Sequence, residues 1–268
     1  MATFGELLKG GPQLGLGVFY PSPGVIERIG PDWDWIWIDG QHGEHGYTDV
    51  LTAVRACNLV KRPALVRVPG HESGLIGLAL DTAADAVMVP MVSDASQAEK
   101  IVQAAKFAPL GSRSFGGRRP IDLFGRTYAH QDQPQPLLIC QIENEKGLKN
   151  VDAIAAVEGV DGLFFGGDDM ALGRNLSMDQ PVPKGYFDEA LENVARAAQV
   201  NGKIIGGVFA NDQAMSNAVK MGYTLNVGMA DVSILASGSK ETTSRLRKCL
   251  GQTIKDPGDD TAWRPGIY

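Results

Sequence analysis

Cysteine and histidine are scarce in this chain, and that scarcity removes several chemistries. Three cysteines, Cys57, Cys140 and Cys249, are scattered over 268 residues without a C-x-x-C pair. An odd, dispersed set favours free thiols in a reducing compartment over a disulfide framework, so a cytoplasmic location is expected. Four histidines without H-x-H or H-E-x-x-H spacing exclude a histidine-built zinc centre. There is no G-x-S-x-G, no P-loop and no G-x-G-x-x-G opening a helix after the first strand. No basic tract interrupts a net charge of −6, so neither nucleic acid nor an anionic membrane surface is an expected partner. No apolar run approaches the roughly 20 residues that a bilayer requires. The opening Met1–Glu6 carries neither the basic nor the apolar region of a secretory signal.

What is abundant is apolar sequence in short pieces, separated by glycine. Hydrophobic residues make up 44% of the chain, enough for a sizeable core, and 33 glycines suit many tight turns. Eight runs read as strands: Leu14–Phe19, Trp35–Asp39, Ala64–Val68, Ala86–Pro90, Leu137–Glu143, Gly162–Gly166, Ile204–Phe209 and Thr224–Val227. Several are apolar throughout, as strands covered on both faces are. Helical patterns alternate with them: Tyr47–Asn58, Glu72–Thr82, Ala95–Phe107, Asn150–Val157, Phe187–Asn201, Asp212–Met221 and Val232–Leu250. Strict β–α alternation with eight strands predicts an α/β fold of the (β/α)8 barrel type, one domain over residues 1–255, with 256–268 as an extended arm. A doubly wound open sheet is the structural rival, weakened by the missing glycine fingerprint. Leu110–Pro136, rich in Gly, Arg and Pro, reads as a long loop over one face.

A barrel carries its chemistry at the C-terminal ends of its strands. Those ends are unusually polar here. The second strand ends in Asp39-Gly40-Gln41-His42, the third contains Arg67, and the fifth ends Gln141-Ile142-Glu143. The sixth runs into Gly166-Gly167-Asp168-Asp169; the seventh and eighth lead to Asn211, Asn226 and Asp231. Carboxylates one strand–helix unit apart would repel unless a hard divalent cation offset them, and oxygen ligands suit Mg²⁺ or Mn²⁺. An arginine beside such an ion suits a bidentate carboxylate. Together these groups would hold a 2-keto acid, with His42 placed to move a proton. Simpler readings compete. Asp168 or Asp169 could be a helix N-cap, though Glu143 is a poor candidate for that role. Arg67 in an apolar run needs a carboxylate partner, which could be purely structural. His45, His71 and His130 read as structural, and Gly166-Gly167 either permits a turn or lets a ligand carboxylate approach backbone. The lysines fall in loops, helices or strand beginnings, against a Schiff-base mechanism.

Six stretches taken together resemble the HpcH/HpaI aldolases, the metal-dependent pyruvate aldolases. They are Trp37–His42, Val66–Pro69, Val87–Val92, Pro109–Ser114, Gln141–Glu143 and Gly159–Gly166, spanning the chain from about its first strand to its last helix. The resemblance implies a barrel whose last helix swaps between partners in a homohexamer, a trimer of dimers. It implies that Glu143 and Asp169 ligate Mg²⁺, Mn²⁺ or Co²⁺, that Arg67 and Gln141 contact the pyruvate moiety, and that His42 is the acid/base group oriented by Asp81. The expected activity is reversible cleavage of a 4-hydroxy-2-keto acid to pyruvate and an aldehyde. Rivals on the same scaffold are an oxaloacetate-type decarboxylase, a CoA-ester lyase and a non-catalytic keto-acid-binding protein. Two departures bear on the acceptor: Gln41 stands where the family usually has Glu, and Gly166-Gly167-Asp168-Asp169-Met170 replaces Gly-Pro-x-Asp-Leu. The Arg113–Arg119 loop is expected to grip an acidic acceptor or a distal carboxylate.

Overall fold

Eight parallel strands close on themselves in the computed structural model, each hydrogen-bonded to the next and β8 to β1. The structure describes residues 3–130, 133–180, 182–209 and 211–252. The strands are β1 (Gln13–Val18), β2 (Trp35–Asp39), β3 (Ala64–Arg67), β4 (Ala86–Val89), β5 (Leu137–Ile142), β6 (Gly162–Phe165), β7 (Ile204–Val208) and β8 (Leu225–Ala230). Helix α1 (Phe4–Lys9) precedes β1, and α2 (Pro23–Ile29), α3 (Tyr47–Leu59), α4 (Ser73–Asp81) and α5 (Ala95–Ala105) follow the first four strands in turn. The longer β4–β5 connection adds α6 (Arg118–Phe124). Next come α7 (Glu145–Lys149), α8 (Val151–Ala155), α9 (Gly167–Gly173), α10 (Asp188–Val200), α11 (Asp212–Lys220) and α12 (Asp231–Cys249). The expected (β/α)8 barrel is therefore the observed fold. Sequence patterning missed the short elements α1, α2, α6, α7 and α9, which lack a full amphipathic repeat. The expected arm at 256–268 lies outside the described residues.

Strand alternation sorts the residues into two cores. Outward positions such as Ile36, Ile38, Val66, Leu138, Cys140 and Ile142 pack against the helices. Inward positions Trp35, Leu65, Ala86, Met88, Ile139, Phe164 and Leu225 fill the barrel, and Phe4 and Leu8 of α1 close its lower end against Trp35. The alternation continues past this apolar filling. Two residues beyond Trp37 comes Asp39; two beyond Leu65, Arg67; two and four beyond Ile139, Gln141 and Glu143. A polar floor thus sits on the apolar floors, at the C-terminal mouth.

The 110–130 segment lies against the outer wall. Arg119 donates to the carbonyl of Thr82 (2.7 Å) and to Asn58 Oδ1 (2.6 Å), and the Tyr128 hydroxyl donates to the carbonyl of Gly116 (2.5 Å). Cys57 and Cys140 are buried free thiols and Cys249 is an exposed one. Among the described residues no helix is long and apolar enough to cross a membrane.

Candidate active site

The register places Asp39 of β2 directly beside Arg67 of β3. Arg67 Nε donates to Asp39 Oδ1 at 2.8 Å and Nη2 to Oδ2 at 2.5 Å, a bidentate pair with both residues buried. The Arg67 guanidinium also lies 4.6 Å over the Trp37 ring, a contact worth about 0.5–2 kcal/mol. Nη1 and the outer edge of Nη2 remain for a ligand. Asp39 Oδ1 further accepts the backbone N–H of Gln41 (3.0 Å) and of His42 (3.3 Å), so one carboxylate fixes both the arginine and the turn bearing His42. His42 itself is exposed on the rim.

Glu143, one residue past β5, is 1% exposed. Its Oε1 accepts the Met91 backbone N–H at 2.7 Å. Its Oε2 faces Gly166: a Cβ added there would lie 2.5 Å from Oε2 and 2.8 Å from Gln141 Nε2. Only glycine leaves that space open. Burial raises the Glu143 carboxyl from 4.5 to about 7; the negative charges of Asp169 and Asp39 add to the rise, and the Met91 N–H and Arg67 oppose it. This is the behaviour of a carboxylate short of positive charge. Asp168 and Asp169 occupy the first turn of α9, whose N-cap is Gly166 and makes no side-chain capping bond. Neither aspartate is therefore the N-cap that the simpler reading required. Gln141 Oε1 is buried without a hydrogen-bond partner, as are Trp37 Nε1 and Gln41 Oε1. Unpaired buried polar atoms in one small region mark a place where a ligand completes the hydrogen bonding.

The donors fit a hard divalent cation. Among the described residues no group of three or more His, Cys, Asp or Glu side chains could hold a metal. Two carboxylates, Glu143 and Asp169, would supply the protein's share, leaving positions for water and substrate oxygens as Mg²⁺ and Mn²⁺ sites do.

Other expectations resolve differently. Asp81 does not meet His42 within this chain: its Oδ1 accepts Arg113 Nη2 at 2.9 Å. Asp81 faces an outer groove of about 610 Å³ between α4, α5 and the 112–116 segment. The arginines of the 113–119 loop do not wait for an acceptor. Arg113 pairs with Asp81 and stacks 4.7 Å over Phe107, Arg118 pairs with Asp122, and Arg119 anchors the segment. Asn211 is simply the N-cap of α11, accepting from the Ala214 N–H (2.9 Å). Asn226 donates to the carbonyl of Tyr223 (3.2 Å). Asp231, fully buried, accepts the N–H groups of Phe19 (3.0 Å) and Tyr20 (3.1 Å), tying β1 to the start of α12. The sequence reading placed Met91 at the end of the fourth strand, within Val87–Val92, but gave it no role, because a backbone N–H donor carries no side-chain signature.

Residues 24–236 match the HpcH/HpaI aldolase/citrate lyase family. The chain belongs to that family. It is 39% identical over 178 residues to a 4-hydroxy-2-oxovalerate aldolase of Novosphingobium aromaticivorans, covering 65% of this chain and 68% of the relative. It is 30% identical over 251 residues to a 4-hydroxy-2-oxo-heptane-1,7-dioate aldolase of Klebsiella pneumoniae subsp. pneumoniae, covering 91% and 93%. The crystal structure of a family protein from Burkholderia cenocepacia J2315 superposes with a TM-score of 0.80 at 29% identity, covering 88% of this chain and 95% of that one. This HpcH/HpaI member is accordingly an enzyme of the aldolase class.

Proposed function

We propose that the barrel mouth reversibly cleaves a 4-hydroxy-2-keto acid to pyruvate and an aldehyde, using a divalent metal, Mg²⁺ or Mn²⁺ with Co²⁺ as an alternative, held by Glu143 and Asp169. The observation that carries this reading is the co-location, on one buried polar floor, of a locked arginine, a charge-starved carboxylate and an unpaired amide oxygen. The bound cation would supply Lewis-acid withdrawal of electron density from the keto carbonyl. Arg67, held by Asp39, presents fixed N–H donors to the pyruvate end, where negative charge develops as the C3–C4 bond breaks. Its rigidity matters, since a preorganised donor needs no reorganisation during reaction. Gln141 orients the same end. His42, exposed on the rim, takes the proton from the 4-hydroxyl in cleavage and returns it in synthesis. Asp81, the last residue of α4, is engaged by Arg113.

The α12 helix supports an assembly of copies, with the homohexamer as our reading. Its main contacts with the barrel are to β1 and β8, and Leu235 and Leu246 stand exposed along it, with Leu250 exposed just past its end.

Enolisation and bond cleavage are measured together. Pyruvate C3 hydrogen–deuterium exchange is followed by NMR beside pyruvate release from a 4-hydroxy-2-keto acid, before and after chelation. Both are expected to fall to background with EDTA and to return with Mn²⁺ or Mg²⁺. Turnover that survives thorough chelation would contradict the proposal. Release of carbon dioxide from oxaloacetate outpacing aldol cleavage of every hydroxy acid tried would assign a decarboxylase instead.

A further inference from the structure

From the hydrogen bonds at three adjacent strand ends, we infer that His71 is a positioning residue. It fixes the Pro90–Met91 turn so that the Met91 N–H holds Glu143 in its ligand orientation. The inference rests on the reading of Glu143 as a metal ligand, proposed above.

His71 lies in the turn between β3, which carries Arg67, and α4. Its Nε2 is 2.6 Å from the carbonyl oxygen of Pro90, so that nitrogen carries hydrogen and donates. Pro90 follows β4 directly, and its own φ is ring-restricted. The next residue, Met91, has φ +58°, a left-handed conformation that a side-chain-bearing residue seldom adopts. Nothing about the Met91 side chain explains this conformation, since it is exposed. The backbone does explain it. The turned peptide aims the Met91 N–H at Glu143 Oε1, 2.7 Å away, while the Val92 N–H returns to the carbonyl of Gln141 on β5 (3.1 Å). Uncommon backbone geometry of this kind persists where surrounding bonds over-determine it. The Ser93 hydroxyl donates to the Met91 carbonyl (3.1 Å), and on the Pro90–Met91 peptide itself the holding bond is that of His71, which crosses from the β3 turn to the β4 turn.

The consequence is a fixed division of labour between the two Glu143 oxygens. Oε1 is occupied by backbone; Oε2 is left facing Gly166, at the end of β6 from which Asp169 follows. Without the His71 bond, the Pro90 carbonyl loses its anchor, the Pro90–Met91 peptide can tilt, and Glu143 can turn its free oxygen away. Groups that orient a ligand carboxylate typically change metal affinity 10–100-fold when removed.

The test is direct Mn²⁺ binding to the metal-free protein, read by electron paramagnetic resonance of the free ion, with no substrate present. His71→Leu is expected to weaken Mn²⁺ binding about tenfold or more, with unchanged far-ultraviolet circular dichroism. His71→Gln, whose amide nitrogen reaches where Nε2 stood, is expected to restore most of the affinity; His71→Asn, one bond shorter, is not. A His71→Leu protein that binds Mn²⁺ as the wild type does would overturn the inference. Should that variant fail to fold, the Gln and Asn pair decides, and equal affinities in those two would overturn it. A wild-type protein that binds no Mn²⁺ would instead overturn the metal reading itself, and the inference with it.

Discussion

Asp39 shows how much one side chain organises here. It is fully buried, pairs bidentately with Arg67 and accepts from the turn that carries His42. Breaking a buried pair leaves an uncompensated charge, so Asp39→Ala should lower stability by about 3–5 kcal/mol, whereas replacing both partners with apolar residues should cost much less. Urea unfolding of the single and double variants measures the difference. Glu143 makes a pH prediction. Its folded-state value of about 7 lies above the ordinary 4.5, so the folded metal-free protein binds this proton more tightly than the unfolded chain. That stabilisation is complete below about pH 4.5 and is lost as pH rises through 7, amounting to about 3 kcal/mol for this group. Metal must displace the same proton, so apparent Mn²⁺ affinity should rise about tenfold from pH 6 to pH 8. Thermal melts with and without Mn²⁺ across that range check both halves. Gly166→Ala would drive a methyl into Glu143 Oε2 and Gln141 Nε2; metal affinity should fall by more than tenfold in an equilibrium titration. At this scale the sequence was legible where burial and charge conflict. An arginine inside an apolar run demanded a carboxylate, and the structure supplies Asp39. It was illegible where the partner is backbone, as with Met91, or where a position admits two partners, as with Asp81.

Among the elements, the strands were easier to read than the helices. Continuous apolar runs ending in polar residues marked β2, β3, β5 and β6 nearly to the residue, because both faces of a barrel strand are dry and only its upper end is not. The helices that escaped are five to seven residues long (α1, α2, α6 and α9 among them), too short for a 3.6-residue period to declare itself. Helix α12 is different. It is 19 residues long, and past Ile234 it leaves the barrel almost bare. A helix with so little to pack against depends on a neighbour for stability. The double variant Leu235→Glu, Leu246→Glu should therefore shift the protein to a smaller species in light scattering coupled to size exclusion. An unchanged mass would remove α12 from the assembly interface.

The whole molecule is a stack of floors inside a closed sheet. Aromatic and aliphatic side chains fill the lower floors, and α1 seals the bottom. The top floor is polar because the same two-residue alternation continues into residues that a dry interior would not tolerate without partners. Their partial satisfaction is the functional signal: Arg67 is paired, Glu143 half-paired, and the Gln141 oxygen unpaired. The barrel and its mouth could be anticipated because period-two patterning and strand ends are local properties. The path of the 110–130 segment could not be, since Arg113 and Arg119 chose partners, Asp81 and Asn58, that are near only once the chain has folded. The proposed chemistry requires one cation shared by Glu143 and Asp169. Anomalous X-ray scattering from crystals soaked with Mn²⁺ tests it most directly. A single anomalous peak within bonding distance of Glu143 Oε2 and of the Asp169 carboxylate is the expected result. A peak bound elsewhere, or the two carboxylates pointing away from a common ion, would contradict it.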